Sequence, residues 1–153
     1  MVSDQHLDSS TAGGSRVFLY PGQGSQSVGM GRDLVRAFPE AEDFLARADR
    51  ALGFPLSRLC FEGPAGELDR DVTAQLAVYT LSCAVTDVLA ERGIRPDRVS
   101  GYSSGFYAAA YAAGCFDFET GLKTVRRAGE LLLEVSARNP GGMGVVFGLP
   151  ASR

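Results

Sequence analysis

Apolar and polar positions along the chain fall into short blocks punctuated by glycine and proline. Val17, Phe18, Leu19 and Tyr20 are apolar without alternation, and Pro21-Gly22 closes the run. So short and unbroken a run predicts a strand buried on both faces. Residues 21–26, Pro-Gly-Gln-Gly-Ser-Gln, predict a tight turn. Apolar residues then recur at helical spacing from 28 to 38 and from 40 to 52, with Gly53 as the second stop. Residues 54–68 contain Pro55, Gly63, Pro64 and Gly66 and read as a loop with room for one helical turn.

The second half repeats the scheme. A long helix is predicted from 71 to 92, with Val72, Leu76, Tyr79, Cys83 and Val85 near one stripe and Gly93 as its stop. Residues 99–102 predict a short strand, and the Ala-rich stretch 104–113 predicts a buried helix ended by Gly114. A further helix is expected from 119 to 137 with Leu122, Val125, Leu132 and Val135 facing inward. Asn139-Pro140-Gly141-Gly142 breaks it, and residues 143–148 begin a new strand with nothing behind it to pair or cover it. Strand, turn and helix, twice over, predict an α/β architecture with parallel strands. The expected organisation is a loose tail over 1–15, an α/β unit over 16–140 and the start of a second unit over 141–153.

Composition narrows the function classes. The chain has 153 residues, 45% hydrophobic and 22% charged, which suits a folded domain rather than a disordered one. Fifteen basic and eighteen acidic residues give a net charge of −3, and Lys123 is the sole lysine. No clustered basic surface for nucleic acid is expected from that balance. Cys60, Cys83 and Cys115 form no CxxC pair and read as reduced, buried thiols of a cytoplasmic protein. With His6 as the single histidine, a metal centre has little to be built from. No uninterrupted apolar stretch reaches the length of a membrane span, and the polar opening lacks the pattern of a signal peptide.

Two constellations carry chemistry. Gly101-Tyr102-Ser103-Ser104-Gly105 matches G-x-S-x-G, in which a serine sits on a sharp strand-to-helix turn. Side chains two residues either side must vanish so that the backbone can fold that tightly, and the following helix points its N–H groups towards the serine. In Pro21-Gly22-Gln23-Gly24-Ser25-Gln26, two glycines allow backbone N–H groups to approach a ligand oxygen. Without a following Gly-Lys-Ser/Thr this is no Walker loop. At the C-terminal end of a parallel strand it would share the ligand side of the sheet with Ser103.

Together these segments resemble the malonyl-CoA:acyl-carrier-protein transacylase family, which includes the acyltransferase domains of fatty-acid and polyketide synthases. Residues 18–26 and Gly29-Met30-Gly31 are similar to its opening signature, and Gln75 in Thr73-Ala74-Gln75-Leu76-Ala77 to its Gln-Pro-Ala-Leu motif, with Leu76 in place of proline. Residues 101–105, Ala113-Gly114, Phe116-Asp117-Phe118 and Gly129-Glu130-Leu131 continue the match, and 142–149 resemble the entry to a small ferredoxin-like subdomain. The resemblance implies an α/β-hydrolase-like large subdomain, ending here at the first strand of a small subdomain otherwise missing. It also implies ping-pong acyl transfer: Ser103 takes the acyl group from a coenzyme A thioester and passes it to the phosphopantetheine thiol of an acyl carrier protein. By position, the N–H groups of Gln23 and Ser104 would form the oxyanion hole, and no metal or organic cofactor is implied.

Three departures accompany the resemblance. The family's general base is a histidine far downstream of the serine, whereas His6 lies upstream. A truncated or split protein is therefore expected, with a separate C-terminal half supplying the base. The family's arginine for the malonyl carboxylate aligns with Ala128, one residue and about 100° of helix from Arg127, and Arg126 precedes both. Losing that charge-assisted anchor would favour a monocarboxylic acyl group. Tyr102 and Phe106 stand where the family commonly has histidine and glutamate, so the acyl-binding set is expected to comprise Gln75, Tyr102, Phe106, Arg127 and Ala128. Tyr107, Tyr111 and Phe116 read as core packing. Two other functions are compatible with the same residues: an acyl hydrolase clearing carrier proteins, and a non-catalytic carrier-docking module.

Overall fold

A computed structural model describes residues 14–142 together with 144 and 148. The expected tail over 1–15 lies outside them up to residue 13, and so does most of the strand expected over 143–148. The elements in order are β1 (Val17–Tyr20), α1 (Arg32–Ala37), α2 (Glu40–Leu52), α3 (Leu56–Glu62), α4 (Ala65–Leu68), α5 (Asp71–Glu91), β2 (Arg98–Gly101), α6 (Gly105–Ala112) and α7 (Phe118–Arg138). The two strands pair in parallel, with Val17 opposite Arg98 and Tyr20 opposite Gly101. The α/β class and the parallel pairing agree with the sequence pattern.

The core is built around α5. Its apolar positions encircle it, and α2, α6 and α7 all pack against it. Length and composition alone would let α5 cross a membrane, yet twelve of its residues are buried among its neighbours, as befits a core helix. Tyr79 stacks on Phe118 at 5.7 Å between ring centres, and Phe44 meets Phe118 edge-on at 5.0 Å. The Tyr79 hydroxyl donates to the Phe118 carbonyl at 3.1 Å, so a buried polar group is satisfied. Arg47 of α2 grips Glu119 of α7 through two hydrogen bonds of 2.7 and 2.8 Å. Asp117 caps α7 by accepting the Thr120 N–H at 2.7 Å. Full burial of Leu45, Leu56, Leu76 and Leu122 contributes about 1.5–3 kcal/mol each to holding the helices together.

Several expectations are corrected. β1 is not buried on both faces: Leu19 is 76% exposed and Val17 is exposed too, because the sheet has only two strands among the described residues and α6 packs against it. The helix expected from 28 begins at Arg32, since Gly29 and Gly31 adopt positive φ and hold residues 27–31 in turns. Residues 54–68 are not a loop but contain α3 and α4, whose Leu56, Cys60 and Leu68 are buried; their prolines precede each helix, where a missing N–H costs nothing. Val85 lies outside the buried face of α5, and Leu132 and Val135 are exposed on the last turns of α7, beyond Gly129, the last buried residue of that helix. Cys60 and Cys83 are buried, and burial pushes the Cys60 thiol up to about 12, but Cys115 is exposed at the α6–α7 turn. Tyr107, Tyr111 and Phe116 do pack against the core.

Candidate active site

Parallel pairing dictates where the two motifs meet. Because Tyr20 lies opposite Gly101, the turns that follow β1 and β2 leave the sheet side by side at the same end. The Tyr102 N–H donates to the Tyr20 carbonyl at 2.9 Å and extends the ladder to the start of the second turn. There Ser103 has φ 52°, the sole positive φ of a non-glycine residue among the described residues. Such a conformation costs about 1–3 kcal/mol and is held by its surroundings. The Gly105 N–H bonds the Tyr102 carbonyl at 2.8 Å, and the Phe106 N–H bonds the Ser103 carbonyl at 3.0 Å. The helix α6 starts at Gly105 with Ser104 as its N-cap, one residue later than the sequence suggested.

The flanking glycines are there for space. A Cβ on Gly101 would collide with the backbone of Gly105 and Phe106. A Cβ on Gly105 would collide with the Tyr20 carbonyl oxygen and lie 2.6 Å from that of Pro21. A Cβ on Gly22 would lie 2.6 Å from the Tyr102 oxygen and 3.3 Å from the Ser103 Cβ. The Pro-Gly-Gln-Gly turn is therefore seated directly against the serine, with no room for any larger residue at its closest point.

Side chains from α5 then lock that turn. Gln23 Nε2 donates to Asp71 at 2.6 Å, while Gln23 Oε1 accepts from Gln75 Nε2 at 3.2 Å. Gln75 is buried in the first turns of α5, and its hydrogen bond holds the Gln23 side chain in place. Gln26 donates to Asp69 at 2.9 Å and accepts the Gly24 N–H at 2.8 Å, and the Ser25 hydroxyl donates to the Gly22 carbonyl at 2.7 Å. Asp69 and Asp71 were not singled out from the sequence. They lie 43 and 48 residues from their partners, and no local pattern announces such a pairing. The backbone N–H of Gln23 donates to Ser104 Oγ at 3.0 Å, which ties the two turns together.

The remaining predicted site residues divide into two groups. Tyr102 and Phe106 flank Ser103 and stand largely in solvent, 76% and 62% exposed. Arg127 pairs with Glu130 and, at 3.3 Å, with Glu134, its own neighbours on α7, while Arg126 pairs with Glu130 at 2.9 Å. Ala128 is half-buried on the same helix. The hydrogen bonds and ion pairs that tie the two turns together involve neither Arg127 nor Ala128. Among the residues searched, no group of three or more His, Cys, Asp or Glu side chains could hold a metal. His6, the single histidine, lies outside the described residues.

A strained serine between a strand and a helix, with a second N–H-bearing turn against it, is the arrangement of a serine acyltransferase or hydrolase. The chain belongs to the acyl transferase domain family, whose pattern it matches over residues 17–151. It is 42% identical over 134 residues to the malonyl CoA-acyl carrier protein transacylase of Bacillus subtilis (strain 168), covering 88% of this chain and 42% of that protein. It is likewise 42% identical over 137 residues to the polyketide biosynthesis malonyl CoA-acyl carrier protein transacylase BaeC of Bacillus velezensis, covering 89% of this chain and 45% of that one. Among solved structures it is similar to a type II polyketide synthase acyl-carrier protein's malonyl-transacylase, seen in complex with that carrier, with TM-score 0.76 and 37% identity over 79% of this chain and 40% of the other. An acyl carrier protein S-malonyltransferase from Vibrio cholerae gives TM-score 0.76 and 33% identity, again over 79% and 40%. The chain thus spans less than half the length of the relatives it matches.

Proposed function

We propose that this chain carries the nucleophile and oxyanion elements of an acyl-CoA:acyl-carrier-protein acyltransferase. Ser103 Oγ attacks the thioester carbonyl, coenzyme A leaves as the thiol, and the acyl-serine is resolved by the phosphopantetheine thiol of a carrier protein. The observation that carries this reading is the Ser103 turn at φ 52° with the Gln23 turn against it. Malonyl-transacylase relatives support the reaction class, and the relative solved with its acyl-carrier protein supports the acceptor. The oxyanion site lies at the N–H groups of Gln23 and Ser104, the first of them bonded to Ser104 Oγ, and loss of one oxyanion donor typically costs about 3 kcal/mol of barrier. A histidine is the general base in this scheme, and the α/β-hydrolase-like large subdomain and ferredoxin-like small subdomain are what the resemblance implies for the fold.

The acyl group is proposed to lack a terminal carboxylate. Ala128 offers no charge, and Arg127 is already engaged by Glu130 and Glu134. Tyr102 and Phe106 add apolar surface beside the serine. Coenzyme A thioesters are substrates in this scheme, and no cofactor takes part.

Intact-mass spectrometry tests it. The chain is incubated with acetyl-CoA or malonyl-CoA in imidazole buffer, which provides a diffusible base, with Ser103→Ala as control. The expected result is a Ser103-dependent acetyl adduct that a carrier protein's thiol removes. A malonyl adduct of equal or greater rate would overturn the carboxylate argument alone. Absence of any Ser103-dependent adduct would overturn the acyl-enzyme.

A further inference from the structure

The Ser104 side chain occupies a decisive position. Its Oγ accepts the Gln23 N–H at 3.0 Å, so one hydroxyl sits between the two turns. A hydroxyl has one proton to donate and two lone pairs. The bond from Gln23 uses a lone pair, and among the described residues the Ser104 hydroxyl donates to no protein acceptor. Its backbone N–H also makes no hydrogen bond to another described backbone group. Both donors of Ser104 are therefore available where α6 begins, directly after the strained Ser103. The Gln23 N–H, in contrast, is occupied. A substrate oxygen that is to reach it must expel Ser104 Oγ, or else be bound through it.

We propose that the Ser104 hydroxyl is itself an oxyanion donor, polarised from behind by the Gln23 N–H. The proposal rests on the Ser103 acyl-enzyme reading and deepens it. As Ser103 Oγ bonds to the thioester carbon, its proton passes to an imidazole base and the carbonyl π pair moves onto oxygen. The Ser104 N–H and O–H both donate to that oxygen, while Gln23 N–H continues to donate to Ser104 Oγ. Collapse re-forms the C=O bond and breaks the C–S bond, and the coenzyme A sulfur takes the proton from the imidazolium. Hydrogen-bond donors in series polarise and strengthen one another. No reorganisation of Gln23 is needed, which suits a turn already pinned by Asp71 and Gln75.

The test is the rate of Ser103 acylation by acetyl-CoA and malonyl-CoA in imidazole buffer, followed by intact mass over a range of thioester concentration. Wild type, Ser104→Ala, Ser104→Thr and Ser103→Ala are compared, each with its thermal midpoint. Ser104→Ala is expected to lower the saturated rate about 10²-fold and leave the half-saturating concentration unchanged. Ser104→Thr, which keeps the hydroxyl, should restore most of the rate. A Ser104→Ala rate equal to or above wild type overturns the proposal and marks the hydroxyl as an obstacle to the oxyanion. A fall accompanied by a raised half-saturating concentration and a lowered midpoint also overturns it, because that is loosening of the turn. Wild type without a Ser103-dependent adduct overturns the acyl-enzyme reading and this donor with it.

Discussion

Replacing Gly105 by alanine tests the steric logic of the serine turn most directly. The added Cβ meets the Tyr20 carbonyl oxygen and lies 2.6 Å from the Pro21 oxygen and 2.9 Å from the Pro21 carbonyl carbon. All three are backbone atoms at the end of β1, fixed by the Tyr102 N–H bond to the Tyr20 oxygen at 2.9 Å. An unstrained carbon–oxygen contact needs about 3.3 Å or more, so α6 and β1 must separate by at least about 0.7 Å at this point. Overpacking of that kind costs about 1–3 kcal/mol. Alanine's smaller loss of backbone freedom returns at most about 1 kcal/mol. The net is a destabilisation of up to about 2.5 kcal/mol, or up to roughly 10 °C in thermal midpoint for a chain of this size. Gly66 is the control: it lies in α4, a Cβ there meets nothing within 4 Å, and Gly66→Ala should gain about 0.5 kcal/mol. Urea denaturation of the two variants supplies the stabilities, and the Ser103 adduct rate supplies the geometry. Displacement of the turn should slow acylation at least about tenfold. Should Gly105→Ala prove as stable as Gly66→Ala with an undiminished adduct rate, the steric argument is refuted.

Two further substitutions examine the framework. Thr80 Oγ1 is buried in α5 without a hydrogen-bond partner among the described residues, so the near-isosteric Thr80→Val should raise stability by about 1 kcal/mol in urea denaturation; a loss instead would reveal a partner for the hydroxyl. The Arg47 guanidinium holds the Glu119 carboxyl below its usual range through their hydrogen bonds. A depressed carboxylate stabilises the fold above its unfolded value of about 4.3 and loses that contribution as pH falls through the lower folded value. Both partners are partly exposed, so the contribution is about 1 kcal/mol or less. Glu119→Gln should lower the urea midpoint at neutral pH and make its decline on acidification shallower. Asp117, held low by the Thr120 N–H, and Glu40, held low chiefly by its own backbone N–H, would account for the slope that remains. Parallel pH curves for variant and wild type would contradict the assignment.

Local physics made much of this molecule legible from its residues. Gly53 and Gly114 end their helices with positive φ as their positions suggested, and β1, α2, α5 and α6 begin or end within a residue or two of expectation. The G-x-S-x-G spacing located the strained serine because only glycine tolerates the approach of Gly105's backbone to Gly101 and of Tyr20's to Gly105. The errors share one cause, which is that a sequence pattern reports polarity and not neighbours. Leu132 and Val135 have helical spacing and still face solvent, beyond the last buried residue of α7. Residues 54–68 hold the punctuation of a loop, but their prolines sit ahead of helices that bury Leu56 and Leu68. Cys115 resembles the other two thiols in sequence and differs only in what surrounds it.

What the residues determined alone is the alternation of strand, turn and helix, the parallel sense that it imposes, and the two turns able to bring N–H groups and a hydroxyl to one end of a sheet. What only the tertiary structure decided is how those turns are held. Register places Tyr20 opposite Gly101 and so brings the Gln23 turn onto Ser103. Folding of α5 then delivers Asp71 and Gln75 to the Gln23 side chain, and Ser104 Oγ to its backbone N–H comes from α6. Those bonds link residues 48, 52 and 81 positions apart, beyond the reach of any periodicity, because hydrogen bonds choose partners by position in space and not along the chain.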